Sequence, residues 1–177
     1  MGYDVTPDIL TTAKGLGGGF PISAMLTTST IAASLTVGSH GTTYGGNPLA
    51  CAVAEAALEL LSEPDLLAAV RAKHNVFMAG LKRLNQRYGV FRELRGKGLL
   101  LGCELAEPWR GHSRDFIKAA LDEGLLVLVA GPDVVRLAPA LIISDPMIEE
   151  GLQRFARAIE RLTVQTAPTE ELAHAAR

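Results

Sequence analysis

The apolar pattern of this 177-residue chain changes at about residue 47, and the change limits what the chain can fold into. After it, apolar residues recur at helical spacings and then alternate with short strand-like runs. Residues 50 to 162 are therefore expected to form a compact α/β unit with its own core. Residues 1 to 47 supply two predicted strands and two loops, which cannot bury both faces of a sheet. This imbalance predicts that the sequence is a truncated part of a larger protein.

Two helices are predicted directly after the change. Asn47 is a suitable N-cap, and Pro48 is tolerated at the first helical position. A second start signal at residues 62–65 precedes a run with apolar residues at spacings of three and four, and Gly89 is expected to end that helix.

The rest of the chain predicts strands alternating with helices. An apolar strand is expected at residues 99–105, after a hairpin turn formed by residues 95–98. Ser113 is expected to cap the next helix. The last helix is expected to start at Asp145, and from Thr163 onward the loss of periodicity predicts a disordered tail, residues 163–177.

Composition excludes several classes of function. The net charge is −2 and no Lys/Arg-rich block occurs, so we expect no nucleic-acid partner and no attraction to an anionic membrane. The longest apolar runs are too short to cross a bilayer. Cys51 and Cys103 lack metal-ligand spacing and are expected to be buried thiols in a reducing compartment. These features predict a cytoplasmic protein without a metal site.

Lys14 lies directly before a run of glycines, at positions 15 and 17 to 19. A lysine that attacks a carbonyl must be unprotonated, and glycines allow a planar ring to approach the backbone. The ordinary alternative is a solvated lysine beside a mobile loop. The sequence does not fit a phosphate loop, because no Gly-Lys-Ser/Thr follows, and it does not fit the dinucleotide fingerprint, because Phe20 takes the third glycine position.

A second polar cluster, residues 40–48, combines two adjacent threonines with several glycines and the start of a helix. Thr42, Thr43 and the free N–H groups of the helix N-terminus are suited to an anion. An ordinary glycine-rich turn with a capping Asn47 explains the same residues equally well. His40 alone is more typical of a structural histidine.

Arg136 interrupts a short apolar strand, residues 134–138. A buried charge is costly unless it is paired, and an arginine fork matches a carboxylate. The alternative is an edge strand that turns Arg136 toward solvent. Glu104 is a possible buried acid, but the sequence does not identify its partner.

Taken in order, these motifs resemble the class III aminotransferases of the ornithine and acetylornithine type. The matching runs are PDILTTAKGLGGGFP, GSHGTTYGGNPLA, RGKGLLLG and AGPDVVRLAP. The resemblance extends from about Thr6 to Leu162 and is closest to the acetylornithine/succinylornithine branch. It implies an α/β fold, the C-terminal part of a fold type I pyridoxal-phosphate (PLP) transferase. Residues 1–49 would be the remnant of the large domain, and residues 50–162 a linking helix with the small domain.

The resemblance also implies roles for four residues. Lys14 would carry the PLP cofactor and move a proton on the substrate. Thr43 would bind the cofactor phosphate across a dimer interface, and Thr42 would touch substrate. Arg136 would hold a substrate carboxylate. The family's glycine–threonine phosphate loop, stacking aromatic residue and ring-nitrogen aspartate belong to an earlier half that is not found here.

These features lead to two hypotheses of different classes. The first is an aminotransferase that exchanges an amino group between N-acetylornithine, succinylornithine or ornithine and 2-oxoglutarate, acting as a homodimer in arginine metabolism. Within that class, other ω-amino acids remain alternative donors. The second is an inactive remnant or an interaction module. In either case the isolated 177-residue chain is expected to have little or no activity.

Overall fold

The computed structural model describes residues 5–165, and these divide into two compact units. The N-terminal unit is Met1–Pro64 and the C-terminal unit is Asp65–Arg177. None of the helices in residues 5–165 is both long and apolar enough to cross a membrane. Each unit is described below by itself.

The N-terminal unit contains a two-stranded antiparallel sheet and a helix of four turns. Its elements are β1 (Ile9–Thr12), a 3-10 helix (Lys14–Gly17), β2 (Ala24–Thr27), the single-turn α1 (Ser29–Ala32) and α2 (Pro48–Ser62). The two strands pair with Ile9 opposite Thr27 and Thr12 opposite Ala24. The predicted cap of α2 is confirmed, because the Ala50 N–H donates to Asn47 Oδ1 at 2.9 Å.

The C-terminal unit is a four-stranded antiparallel sheet with three helices. Its elements are α3 (Pro64–Tyr88, whose first residue belongs to the N-terminal unit), β3 (Phe91–Lys97), β4 (Leu100–Leu105), α4 (Ser113–Asp122), β5 (Leu128–Val129), β6 (Val134–Leu137) and α5 (Asp145–Gln165). The strand order is β3-β4-β6-β5, so β4 and β6 are interior strands. Gly89 and Gly124 end α3 and α4 in the left-handed conformation, as the glycine signals predict.

One contiguous core fills the C-terminal unit. Alternate residues of β4 and β6 point toward it, and the aromatic rings of Phe91, Phe116 and Phe155 meet at its centre, with centroids of neighbouring rings 5.9–6.5 Å apart. Burial raises the pKa of the Cys103 thiol within this core to about 12. The N-terminal unit has a different character, since Ala50 is the one buried hydrophobic residue among its described positions.

Several sequence expectations need correction. Cys51 is exposed on α2, because little packs against that helix within its own unit. Ser113 does not cap α4; it is buried and its hydroxyl donates to the Gly131 carbonyl at 3.1 Å. Residues 95–97 belong to strand β3, and the hairpin turn is confined to Gly98 and Leu99.

The boundary between the two compact units follows Pro64. The helix that was expected to begin the second domain, α2, falls within the N-terminal unit, which extends to Pro64. Helix α5 continues through residues 163–165, where a disordered tail was expected. The remainder of that tail, residues 166–177, lies outside the described residues. The assignment of residues 1–49 and 50–162 to large and small domains stays a prediction.

Candidate active site

Lys14 follows β1 after one residue, Ala13, and begins the 3-10 helix that leads into the glycine run. Its side chain is exposed at an open depression of about 410 Å³, lined also by Thr11, Thr12, Ala13, Ser23, Ala24 and Met25. The ends of the two paired strands therefore present a primary amine beside three hydroxyl groups. This arrangement suits a carbonyl compound that also has hydrogen-bonding groups.

The backbone of Lys14 is strained. Its φ is +50°, and within residues 5–165 it is the one non-glycine residue with a positive φ. A side chain in this left-handed region costs of order 1 kcal/mol or more, and such residues are concentrated at functional sites. Glycine would adopt the same conformation without that cost, and glycine is the next residue in the chain. The chain therefore tolerates strain at the position that carries the amine.

The glycines after Lys14 allow a compact turn. Gly17 is buried, and a Cβ at that position would lie 2.7 Å from the Ile22 side chain. Gly18 and Gly19 have φ angles of +56° and +114°, which favour glycine. A Cβ at Gly18 would lie 3.9 Å from Ala57 of α2. The turn thus folds closely on itself and approaches α2. This compact turn fixes the position of Lys14, which begins it.

Thr42 and Thr43 lie in the exposed loop that precedes α2. Gly45 is in close contact with the methyl group of Thr42, and a Cβ there would overlap it. The loop is closed by Asn47, whose side-chain amide donates to the Tyr44 carbonyl at 2.8 Å. Neither threonine lines the depression beside Lys14. Their roles in phosphate and substrate binding stay predictions.

Arg136 lies in β6, an interior strand, which removes the edge-strand alternative. It is half-buried, and its Nε atom is buried without a hydrogen-bond partner in the part of the chain that the structure describes. Burying a charged donor without a partner is costly. An arginine kept in this state is suited to an incoming carboxylate, which accepts two parallel hydrogen bonds from the guanidinium.

Arg136 also borders a cavity of about 520 Å³ in the C-terminal unit. Its walls are mostly apolar and include Leu126, Leu128 and Met147. The nearby Arg154 is already engaged, because it donates to Glu150 at 2.6 Å and to the Glu123 carbonyl at 2.9 Å. Arg136 is therefore the cation of this cavity that has no hydrogen-bonded acceptor among residues 5–165.

A charged network on the same sheet was not predicted from the sequence. Glu104 accepts hydrogen bonds from Arg92 and Arg95, and Arg95 also donates to Glu93 at 2.9 Å. The hydrogen bond from Arg95, followed by that from Arg92, lowers the pKa of Glu104. The sequence signal for this network is the alternation of polar residues along β3. It was missed because no strand was predicted at these residues.

The predicted site residues therefore fall into two groups. Lys14, Thr42 and Thr43 belong to the N-terminal unit, and Arg136 belongs to the C-terminal unit. A family comparison agrees with the motifs that carry these residues: residues 1–159 match the family described as "Aminotransferase class-III".

The chain belongs to the class III aminotransferases.

Curated class III relatives are similar over almost the whole chain. Acetylornithine aminotransferase 1 of Pseudomonas syringae pv. tomato is 56% identical over 163 residues, which are 92% of this chain and 40% of that protein. The succinylornithine transaminase of Yersinia enterocolitica is 58% identical over 162 residues, again 92% of this chain and 39% of the relative. The predicted resemblance to the acetylornithine/succinylornithine branch is confirmed. The chain spans about two-fifths of the length of these relatives.

Solved class III structures confirm the fold class. The N-acetylornithine aminotransferase of Stenotrophomonas maltophilia is 42% identical, with a TM-score of 0.81 over 92% of this chain and 42% of that one. The Plasmodium falciparum ornithine δ-aminotransferase is 32% identical, with a TM-score of 0.82 over 92% of this chain and 41% of that one. The chain thus has the α/β fold of part of a fold type I transferase.

Class III aminotransferases are PLP enzymes. The described residues fit one end of that cofactor: Lys14 offers an exposed amine, and Thr11, Thr12 and Ser23 offer hydroxyl groups around it. No carboxylate lines this depression among residues 5–165. The depression therefore offers an exposed amine of the kind that reacts with a carbonyl group, whereas no partner for the ring nitrogen lines it among the described residues.

Proposed function

We propose that this chain supplies the lysine and a carboxylate-binding arginine of an aminotransferase. The reaction would move an amino group between N-acetylornithine, succinylornithine or ornithine and 2-oxoglutarate. The observation that carries this proposal is the strained, exposed Lys14 at an open depression, within a sequence that matches class III aminotransferases. The relatives' names support the choice of acylated ornithine donors.

Each residue has a defined task in this proposal. Lys14 would hold the cofactor covalently and, once the substrate has replaced it, would accept and return the proton at the reacting carbon. PLP supplies the electron sink that makes this carbon acidic. Thr43 would hold the cofactor phosphate and Thr42 would contact substrate, both as hydrogen-bond donors. Arg136 would bind the α-carboxylate through its planar fork.

The setting of the reaction is also part of the proposal. Because the chain spans about two-fifths of its relatives, groups beyond those described here must complete the cofactor site. We propose that the complete enzyme works as a homodimer in the cytoplasm, with an amino acid and a 2-oxo acid as its substrates. The 177-residue chain alone would bind PLP poorly and would show no turnover of N-acetylornithine.

A chimeric enzyme tests these assignments. The matched segment of the Yersinia enterocolitica relative, 58% identical, is replaced by the corresponding residues of this chain. We expect the chimera to transfer amino groups from N-acetylornithine to 2-oxoglutarate and to use 4-aminobutyrate less well. Lys14→Ala should abolish transfer, whereas Lys118→Ala, an exposed lysine of α4, should leave it unchanged.

The same chimera tests Arg136. We expect Arg136→Ala to raise KM for 2-oxoglutarate about 10- to 100-fold, the value of a lost charge-assisted hydrogen bond. A folded chimera without activity on any of these donors would refute the proposed reaction. Activity that survives Lys14→Ala would refute the role of Lys14, and robust turnover by the 177-residue chain alone would refute the need for a completing part.

A further inference from the structure

Arg154 of α5 reaches the C-terminal end of the neighbouring helix α4. Its Nη1 atom donates to the Glu123 carbonyl at 2.9 Å and to the Gly124 carbonyl at 3.2 Å. Its Nε and Nη2 atoms both donate to one carboxylate oxygen of Glu150, at 3.0 and 2.6 Å. The side chain is 35% exposed, and the Glu150 carboxylate balances its charge. All three nitrogens of the guanidinium are therefore engaged, which holds the side chain in one orientation.

The two backbone carbonyls that Arg154 binds follow the last turn of α4, which ends at Asp122. Carbonyl groups at the C-terminal end of a helix lack partners within the helix and carry its negative dipole end, so a cation there is stabilising. Gly124 has a φ of +71°, and a Cβ at this position would overlap Arg154 Nη1. Arg154 thus packs directly on the backbone at the point where the chain leaves α4.

Residues 124–128 form one wall of the cavity that Arg136 borders. The three residues between Gly124 and β5 have no regular secondary structure. The Leu125 N–H donates to the Ala120 carbonyl of α4 at 2.8 Å. Because the wall has no helix or strand of its own before β5, its path is set mainly by the elements at its two ends.

Strand β5 brings this wall next to Arg136. It is an edge strand of two residues, and its Leu128 lies directly opposite Arg136 of β6. Directly opposed residues of antiparallel strands point to the same face, with Cβ atoms about 4.5–5.5 Å apart. The Leu128 side chain therefore stands beside the stem of Arg136, and both residues line the cavity. A strand of two residues has little pairing of its own to fix this contact.

On the basis of the carboxylate-binding role proposed above for Arg136, we propose that Arg154 is a positioning residue for that role. By holding the Glu123 and Gly124 carbonyls, it fixes the start of the cavity wall and so keeps Leu128 against the Arg136 side chain. Without these hydrogen bonds the wall would shift, Arg136 would sample more orientations, and a substrate carboxylate would bind more weakly. Arg154 acts through the wall, because its own donors are taken up within the protein.

The hold on the wall is tested in the 177-residue chain without substrate. Arg154→Met keeps an unbranched side chain and removes every donor. We expect amide hydrogen exchange at Leu125 to become about tenfold faster, the lower value for hydrogen bonds from a charged group, because the Arg154 side chain is partly exposed. Exchange at Leu101, in an interior strand, should change less. An unchanged rate at Leu125, or an equal acceleration at both residues, would overturn the inference.

Kinetics of the chimeric enzyme test the consequence for the site. We expect Arg154→Met to raise KM for 2-oxoglutarate about three- to tenfold and to change kcat less than about twofold, since the placement of Arg136 is disturbed while its charge remains. Arg154→Lys keeps a cation that can donate to the carbonyls, and its KM should lie closer to that of the parent chimera. A lower kcat with an unchanged KM would overturn the inference.

Arg157→Met is the matched control on the same helix. Arg157 donates to the Glu123 carboxylate at 2.8 Å, so it joins α5 to the end of α4 through a side chain rather than through the backbone. Its loss should leave KM within about twofold of the parent value, as expected for an exposed ion pair. A rise as large as that in Arg154→Met would show that loosening α4 from α5 is sufficient, and it would overturn the inference.

Arg136→Ala separates this inference from the proposed function. If KM is raised in Arg136→Ala and unchanged in Arg154→Met, the positioning role of Arg154 fails and the proposed function stands. If Arg136→Ala leaves KM unchanged while exchange at Leu125 is faster in Arg154→Met, the proposed function of Arg136 fails and the hold of Arg154 on the wall stands.

Discussion

The two units of this chain differ in how they bury their apolar residues. All twenty residues of the hydrophobic core cluster belong to the C-terminal unit, where sheet and helices cover one another. In the N-terminal unit, strand residues such as Leu10 and Leu26 remain about half exposed, as does Leu58 of α2. A two-stranded sheet with a single buried hydrophobic residue beside it has little to stabilise it.

This difference indicates which unit is the more stable and how well each unit holds its proposed site residue. The C-terminal unit has the core of an independently stable domain, and it carries the proposed carboxylate-binding Arg136. The N-terminal unit carries the proposed cofactor lysine but relies on local turns and caps for its order. The proposed cofactor lysine therefore lies in a unit with little packing to hold it, whereas Arg136 lies on an interior strand of a packed domain.

The two cysteines give the largest expected contrast. Cys51 of the N-terminal unit is exposed, whereas Cys103 is fully buried and burial raises its pKa to about 12. Since the thiolate is the reactive form, Cys103 should react at least about 1,000-fold more slowly than an ordinary exposed thiol in the native chain. Thiol labelling of the variants Cys51→Ser and Cys103→Ser, followed by mass spectrometry, measures each site alone.

Denaturant provides the internal control for this labelling. In Cys51→Ser, the remaining thiol should react only as the C-terminal unit unfolds. Its labelling rate should therefore rise over the same denaturant range in which the Trp109 fluorescence changes. Fast labelling of Cys103 under native conditions would show that the core opens readily, and the contrast between the units would disappear.

Matched leucine truncations give the next largest effect. Leu101 in β4 is 1% exposed and Leu10 in β1 is 45% exposed. Leu101→Ala leaves a cavity in a closed core and should lower the free energy of unfolding by about 2–5 kcal/mol, whereas Leu10→Ala should cost about 0.5 kcal/mol or less. Urea unfolding is followed by the fluorescence of Trp109, the single tryptophan, whose ring is 5.5 Å from that of Phe116. An equal loss from both truncations would contradict an N-terminal unit without a core.

Local signals predicted much of the fold. Capping by Asn47 and the glycine stops at Gly89 and Gly124 depend on neighbouring residues, and the structure confirms each of them. Strand β3 was missed because its sequence, FRELRGK, is mostly polar, and its outward side chains are satisfied by ion pairs rather than by burial. Ser113 was misjudged because its true acceptor, the Gly131 carbonyl, is distant in sequence.

For the candidate site as well, local motifs could be predicted from the sequence and contacts between distant residues could not. Lys14, Thr42, Thr43 and Arg136 were recognised from motifs, and motifs identify residue types in order along the chain. The left-handed backbone of Lys14 depends on the turn that follows it, which single residues do not reveal. The pairing of Glu104 with Arg95 of the neighbouring strand depends on strand register, and a register is fixed only when the whole sheet has formed.

The smallest expected effect concerns acid stability. In the C-terminal unit the pKa of Glu104 is lowered by its hydrogen bond from Arg95, and that of Glu123 by its hydrogen bond from Arg157. Both folded-state values lie below the unfolded value of about 4.3, so the unfolded chain binds more protons in this range. The stabilisation is therefore complete above the unfolded pKa and is lost as the pH falls through the lowered folded pKa.

Glu104→Gln and Glu123→Gln should each make the unfolding free energy less dependent on pH across this acidic window. The change should be small and should shrink further with added salt, because the partner arginines are largely exposed and solvent screens the pairs. Glu59→Gln, at an exposed position of α2 in the N-terminal unit, is the control and should leave the pH dependence of the Trp109 transition unaltered. Parallel pH curves for the parent chain and Glu104→Gln would show that Arg92 and Arg95 do not hold this carboxylate in solution.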